Sequence, residues 1–487
     1  VAVSLLGKAG RASAELESGF AAHRAGVDRL LASYAAIPRD ANVRLAKKTS
    51  NLFRARARSN APGLDVSGLN RVIEVDPVAK TADVAGMTTY EDLVAATLPY
   101  GLSPLVVPQL KTITLGGAVT GLGIESTSFR NGLPHESVLE MDVLTGSGEI
   151  VTTSPTENAD LFRGFPNSYG TLGYSTRLKI ELESVQPYVA LRHVRFHDLG
   201  ELETVMAQII ADRAYAGERV DYLDGAVFTA DESYLILGRQ TDEPGPVSDY
   251  TGMDIYYQSI QHDSAQPKRD RLTIHDYLWR WDTDWFWCSR AFGTQNPSIR
   301  RFWPKQYRRS SFYWKLIALD HKYDIGDRLE ARKGNPPRER VVQDIEVPIE
   351  RTAEFLRWFL AEIPIEPIWL CPLRLRDDTV ISDERLQQSG ASRQWPLYPL
   401  EPGRTYVNIG FWSAVPTTPG QGEGAANRAI ERKVTELDGH KSLYSDSFYE
   451  RDEFAQLYGG DVYTRLKKDY DPDQRLLDLY SKAVQRK

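Results

Sequence analysis

The chain has 487 residues, long for a single core, so two lobes are expected. Its 59 Lys and Arg against 66 Asp and Glu leave a net charge of −7, which gives a nucleic-acid partner no electrostatic support. Two distant cysteines, Cys288 and Cys371, argue against a disulfide or metal site and for a reducing compartment, and no segment is apolar enough to span a bilayer.

Residues 12–34 read as a helix of mixed polarity, and residues 1–6 are too short for a signal sequence. Arg54, Arg56 and Arg58 form a basic run that suits either a solvated strand edge or bound phosphates. Residues 71–75 and 81–85 predict a strand pair around Asp76-Pro77. Residues 88–98 predict a helix with Thr89 as its N-cap.

The most informative stretch follows, at residues 114–126. Thr114, Leu115, Gly116, Gly117, Ala118, Gly121, Gly123, Ile124, Glu125 and Ser126 bring four glycines into eight positions. Backbone without Cβ atoms can approach a ligand closely and turn successive N–H groups onto an anion such as a pyrophosphate. The spacing is not the Gly-x-Gly-x-x-Gly of a Rossmann helix. Residues 137–153 then read as two strands with a turn at 145–148, and 155–163 as a short helix. Gly170, Thr171 and Gly173 mark a second glycine turn before a strand over 174–182. His135, in a Gly/Pro-rich stretch, reads as a surface or turn histidine.

Further along, helices are expected over 199–214 and 349–363, and strands over 226–228, 234–237 and 406–412. Aromatic residues concentrate between Tyr277 and Trp314, interleaved with Arg280, Arg300, Arg301, Lys305, Arg308 and Arg309. This pattern suits a core with a solvated basic rim, or else a lipid-facing surface. Residues 416–424 read as an exposed loop, and 450–458 and 473–484 as helical.

The order of these pieces resembles the FAD-binding domain of the vanillyl-alcohol oxidase/p-cresol methylhydroxylase superfamily, and within it the Δ24-sterol reductase (Diminuto/seladin) branch. The 114–126 loop carries the resemblance. So do Val341-Val342-Gln343-Asp344 with Val347-Pro348, Pro367-Ile368-Trp369-Leu370-Cys371-Pro372, and Leu443-Tyr444-Ser445-Asp446 with Glu453-Phe454. The implied class is α+β: a two-subdomain FAD-binding domain (27–184) after an N-terminal extension (1–26), an α+β substrate cap (185–437) and a C-terminal return packing on the flavin lobe (438–487).

The resemblance implies cofactor contacts at Thr49, Ser50 and Asn51, along the 114–126 loop, and at Gly170, Thr171 and Gly173. Neither 48–53 nor Pro108-Gln109-Leu110 holds a His or Cys, so the FAD is expected to be noncovalent. NADPH is the implied electron donor, and the implied reaction saturates an isolated carbon–carbon double bond in a lipid. Such an alkene lacks a carbonyl to delocalise a carbanion, so a general acid must protonate it first. Tyr444 and Asp446 are the expected acids. Asp344 is read as structural, Cys371 as a small core residue, and Gln343 and Trp369 as pocket wall. The composition and N-terminus resemble a bacterial 10-methylene fatty acid reductase. Its partner would be an S-adenosylmethionine-dependent methyltransferase, and its location cytoplasmic, with peripheral membrane contact left open. A Δ24-sterol reductase-like enzyme and a flavin-dependent alcohol oxidase or dehydrogenase are the alternatives.

Overall fold

The computed structural model describes residues 2–47, 53–54, 63–250, 255–283, 293–323, 336–376, 395–398, 400–418 and 422–487, with a few single residues between them. Thr49, Ser50 and Asn51 lie outside the described residues.

Two antiparallel sheets organise the molecule. The first runs β1 (Val72–Asp76), β2 (Thr81–Ala85), β6 (Tyr174–Ser184), β4 (Val138–Leu144) and β5 (Ile150–Thr153), with β3 (Leu102–Pro104) pairing onto β6. Period-2 alternation along β6 turns Leu178, Ile180 and Leu182 inward. The β1–β2 turn is set by Asp76, whose Oδ1 accepts the N–H groups of Val78 and Ala79 at 2.8 and 2.9 Å. Helix Tyr90–Thr97 opens on Thr89, whose hydroxyl accepts the Asp92 N–H. The N-terminal helix spans Ala2–Ala36, longer than 12–34, and buries Leu30 with Leu64, Val66 and Ile73.

The second sheet follows directly: β7 (Tyr188–Phe196), β10 (Tyr222–Thr229), β11 (Glu232–Thr241), β12 (Lys268–Thr273), β13 (Arg338–Pro348), β14 (Ile368–Arg374), β15 (Thr405–Pro416) and β16 (His440–Lys441). Its order is β12-β7-β11-β10-β14-β15-β13-β16, and β8 (Ala214–Tyr215) pairs with β9 (Glu218–Arg219) in a separate hairpin. Alternate residues of the central strands, Val341, Ile345, Val347, Leu370, Val407 and Ile409, join one apolar cluster with residues of helices Leu199–Asp212, Thr352–Glu362 and Ala425–Glu436. The residues between them face the other way, toward the first lobe.

The C-terminal return departs from its expected form. Helices form at Arg451–Leu457, Gly460–Tyr470 and Leu479–Ala483, rather than one running from 473 to 484. Asp471 explains the break: its carboxylate takes the N–H groups of Arg475 and Leu476 at 2.7 and 3.0 Å, a local bond that competes with helix. Likewise the helix expected from 155 begins at Ala159, because Ser154 Oγ accepts the N–H groups of Thr156 and Glu157. The return packs on the first lobe: Lys467 and Lys482 donate to the carbonyls of Thr171 and Tyr169 at 2.8 and 2.7 Å.

Candidate active site

The glycine-rich loop is more tightly seated than its composition suggests. Thr114 caps a short helix, Leu115–Thr120, its hydroxyl accepting the Gly117 N–H. The N–H groups of Leu115 and Gly116 go to the carbonyls of Thr88 and Gly86, both at 2.9 Å, and those of Ala118 and Gly121 close helical turns. These glycines are therefore demanded by chain packing: a Cβ on Gly116 would stand 2.5 Å from Ser175 Oγ and 2.6 Å from the Gly86 carbonyl. Leu115 and Ala118 belong to the apolar core. The expected row of N–H groups turned to an anion does not run the length of the loop. It narrows to Leu122, Gly123 and Ile124, whose N–H groups find no partner among the described residues.

Beyond them, Glu125 and Ser126 turn to the cap. Arg280 Nη2 lies 3.1 Å from Glu125 Oε1 and 2.9 Å from Asp224 Oδ2, with all three side chains buried. Ser126 Oγ pairs with the Tyr277 hydroxyl at 2.9 Å, and its carbonyl accepts the Leu223 N–H at 2.8 Å. Both residues were expected at the cofactor; their side chains are instead committed to joining the lobes. The second glycine turn is also accounted for by packing. Gly170 lies against Tyr174, Gly173 against the Leu144 carbonyl, and the Thr171 hydroxyl donates to the Ser168 carbonyl.

The cap face opposite the helices supplies the chemistry. Register places Asp344 beside Gly410, Gly410 beside Trp369, and Asn408 between Glu346 and Cys371. Gly410 makes room for the acid, since a Cβ there would lie 2.4 Å from Asp344 Oδ1. Tyr444 reaches this face from the return: its hydroxyl accepts from Trp412 Nε1 at 2.9 Å and bonds Asp344. The Tyr444 carbonyl takes the Phe53 N–H at 2.9 Å, and the Phe53 ring packs on Trp314, Trp412 and Tyr444. The acid-bearing face thus adjoins the segment that follows 49–51.

Burial pushes the Asp344 carboxyl up to about 6, against hydrogen bonds from Asn408 and Tyr444 that favour its ionised form. Glu346, two residues along the same face, is driven well above the usual carboxylate range by burial and by the charge of Asp344. Neither has a cationic partner among the described residues. Burial and Asp344 also hold the Tyr444 hydroxyl well above its ordinary value. The arrangement is a buried pair of carboxyls, both raised by burial, with a tyrosine against it.

Several expectations are corrected. Asp446 lies at the surface, its carboxylate 3.4 Å from Arg486 Nε, while Lys441 takes its carbonyl at 2.6 Å. Gln343 stands on the helix-covered face and donates to Asn427 Oδ1 at 2.6 Å, because a strand alternates sides and Asp344 takes the inner one. His135 is buried against Trp395, and burial lowers its imidazole to about 3. Tyr444, Trp369 and buried Cys371 share the inner face with Asp344. Asp344 itself, read as structural, and Glu346, Asn408, Asp224 and Arg280 were missed as site residues. The alternation of Val341, Ile345 and Val347 against Asp344 and Glu346 carried the signal for the first two.

Gln109 Nε2, Asn408 Oδ1 and Asp224 Oδ1 are buried with no hydrogen-bond partner among the described residues. Buried polar atoms are rarely left so, and with the three spare N–H groups they suit a polar cofactor. The N–H groups of Leu122, Gly123 and Ile124 suit its phosphates. A surface cleft lined by Trp358, Ile363 and Ala429 lies behind the sheet, away from these groups.

A family model described as an FAD binding domain matches residues 32–154. The chain is 26% identical to the Delta(24)-sterol reductase of Rattus norvegicus over 436 residues, covering 86% of this chain and 75% of the relative. It is 24% identical to the Delta(24)-sterol reductase of Arabidopsis thaliana over 450 residues, covering 86% and 76%. Cytokinin dehydrogenase 4 of Arabidopsis thaliana is 28% identical over 207 residues, 40% of this chain and 39% of that one.

Proposed function

Taking the chain as an FAD-dependent oxidoreductase of the p-cresol methylhydroxylase type and the sterol-reductase-like branch, we propose that it reduces an isolated carbon–carbon double bond in a lipid with NADPH as donor. The observation that carries this reading is Asp344: a buried carboxyl raised to about 6, with Tyr444 against it, on the face turned to the cofactor loop, where it can carry a proton below that pH and give it up.

FAD, bound without a covalent link, supplies hydride to a carbon that has become electron-poor. The residues do the rest. Asp344 donates its proton to the less substituted alkene carbon, and Tyr444 bonds the carboxylate that remains. Trp369, Trp412 and Phe53 present aromatic faces to a developing tertiary cation and keep water out. Glu346 stays neutral beside Asp344 and adds no second charge. An exocyclic methylene or a trisubstituted alkene forms the required tertiary cation; a disubstituted internal alkene does not.

The leading substrate is a 10-methylene fatty acyl chain, reduced to 10-methyl, with an S-adenosylmethionine-dependent methyltransferase as the partner installing the methylene. The second reading, a Δ24 sterol, is favoured by the names of the two relatives above. Anaerobic NADPH should bleach the flavin absorbance of the purified protein. A methylene-stearoyl lipid should restore it faster than a Δ24 sterol. Bleaching by an alcohol, with no response to either alkene, would overturn the proposal.

A further inference from the structure

The aromatic and basic stretch of the cap contributes more than core. Between residues 285 and 319 the chain carries no Asp or Glu, in a protein with 66 of them, while Arg and Lys recur throughout. Helix Pro297–Phe302 places Ile299 and Phe302 one turn apart on one face, 44% and 84% exposed. Tyr307 is 40% exposed and stacks on Phe312 with ring centroids 4.5 Å apart; Trp303 meets the same Phe312 edge-on. Leu319, two turns on from Phe312, is 49% exposed. Arg301, Lys305 and Lys315 are exposed around these side chains. Other large exposed apolar residues, such as Val78 and Tyr100, are scattered singly.

We infer that this patch docks the protein on an anionic lipid bilayer, with Phe302 and Ile299 entering the headgroup boundary and Arg301 and Lys305 on the lipid phosphates. Apolar side chains ringed by exposed cations match an anionic apolar interface in both charge and polarity, Asp249 at 3.7 Å from Lys305 Nζ being an exposed surface pairing that a lipid phosphate can replace. A second copy of the chain offers poorer complementarity, since every copy carries the same cations here. The patch is also joined to the site. Helix Ser310–Tyr323 holds Phe312 against Tyr307, and two residues later Trp314 against Phe53, which packs on Tyr444. A lipid leaving the bilayer at Phe302 is one helix away from the acid face. Only this purpose rests on the proposed function; the docking itself rests on the patch.

The test is co-sedimentation of the flavin-loaded protein with vesicles of phosphatidylglycerol and phosphatidylcholine, or of phosphatidylcholine alone. Wild type should pellet with the anionic vesicles and release as salt rises. An I299D/F302D variant should bind at least tenfold more weakly with unchanged flavin content and circular dichroism, and R301E/K305E should lose the salt-sensitive part. Equal binding by I299D/F302D and wild type would overturn the inference, as would no binding to either vesicle. So would a dimer in sedimentation velocity that F302D dissociates. Turnover of a detergent-solubilised methylene lipid separates the two readings. Turnover without vesicle binding removes the docking alone, and vesicle binding without turnover removes the proposed reaction alone.

Discussion

Two pairs of buried acids meet at the inner face of the cap sheet, one held by a guanidinium and one with no cation beside it among the described residues. Asp224, with Glu125 from the flavin lobe, is held by the Arg280 guanidinium, which also lies over the Tyr277 ring at 4.1 Å. Burial drives Asp224 up to about 6 against the pull of Arg280, the same value as Asp344, so what sets this cluster apart is the guanidinium that joins the lobes. Asp344 and Glu346 have no such cation among the described residues, and burial raises both so that they take up protons more readily than a free carboxyl. A site that must give up a proton cannot use a guanidinium for this purpose, because arginine remains charged at any working pH. The Arg-bound pair joins the lobes; the pair without a cation is free to exchange protons.

The sharpest break of this contrast is Asp344→Asn. Alkene-dependent turnover should fall by about 10²–10⁴-fold with flavin content unchanged. The same variant should be more stable at high pH. A carboxyl whose folded value is raised from 3.8 to about 6 binds more protons folded than unfolded between those values, so stability falls as pH rises through that window and stays lower above it. The raised value corresponds to roughly 3 kcal/mol at pH 8, read by denaturant unfolding. A variant that is inactive yet no more stable would separate the two roles.

Arg280→Met tests the other pair. Leaving Glu125 and Asp224 buried without their cation should cost about 3–5 kcal/mol. Adding Glu125→Gln and Asp224→Asn should recover most of it. Failure of that recovery would mean that Arg280 acts through its stacking on Tyr277 rather than through charge.

Tyr444→Phe should lower turnover by about tenfold and also move the pH profile. The tyrosine hydroxyl favours ionised Asp344, so its loss should shift the acid limb to higher pH; a shift downward would contradict the assigned hydrogen bond. The smallest effect is expected on the other side of the sheet. Gln343→Leu deprives Asn427 of a partner and should cost about 1–3 kcal/mol of stability, with turnover per folded molecule unchanged.

Much of this was legible in the sequence. The β1–β2 pair, the Thr89 cap and the β4–β5 hairpin follow from local alternation and turn chemistry, which depend on neighbours within a few residues. Tyr444 came from the resemblance of its motif. Asp446, in the same motif, did not share its place, because a surface pairing with Arg486 is a contact across 40 positions that spacing does not encode. The glycine loop was misread in detail for a similar reason. Gly116 answers to Gly86 and Ser175, and Gly123 to Pro108 and Pro134, all brought in by the fold, and the N–H groups of Leu122, Gly123 and Ile124 stay spare among the described residues. Arg280 was visible only as one cation among many until Glu125 and Asp224 were set against it from two other elements.

The most direct test of the central claim is the pH dependence of re-oxidation of the anaerobically reduced protein by a methylene-stearoyl lipid. The proton carried by Asp344 predicts a rate that is level below about pH 6 and falls close to tenfold per unit above it, with the limb absent and the rate low in Asp344→Asn. A rate that is the same from pH 5 to pH 9, estimated as roughly the range spanned by this titration, or an Asp344→Asn protein as fast as wild type, would contradict it.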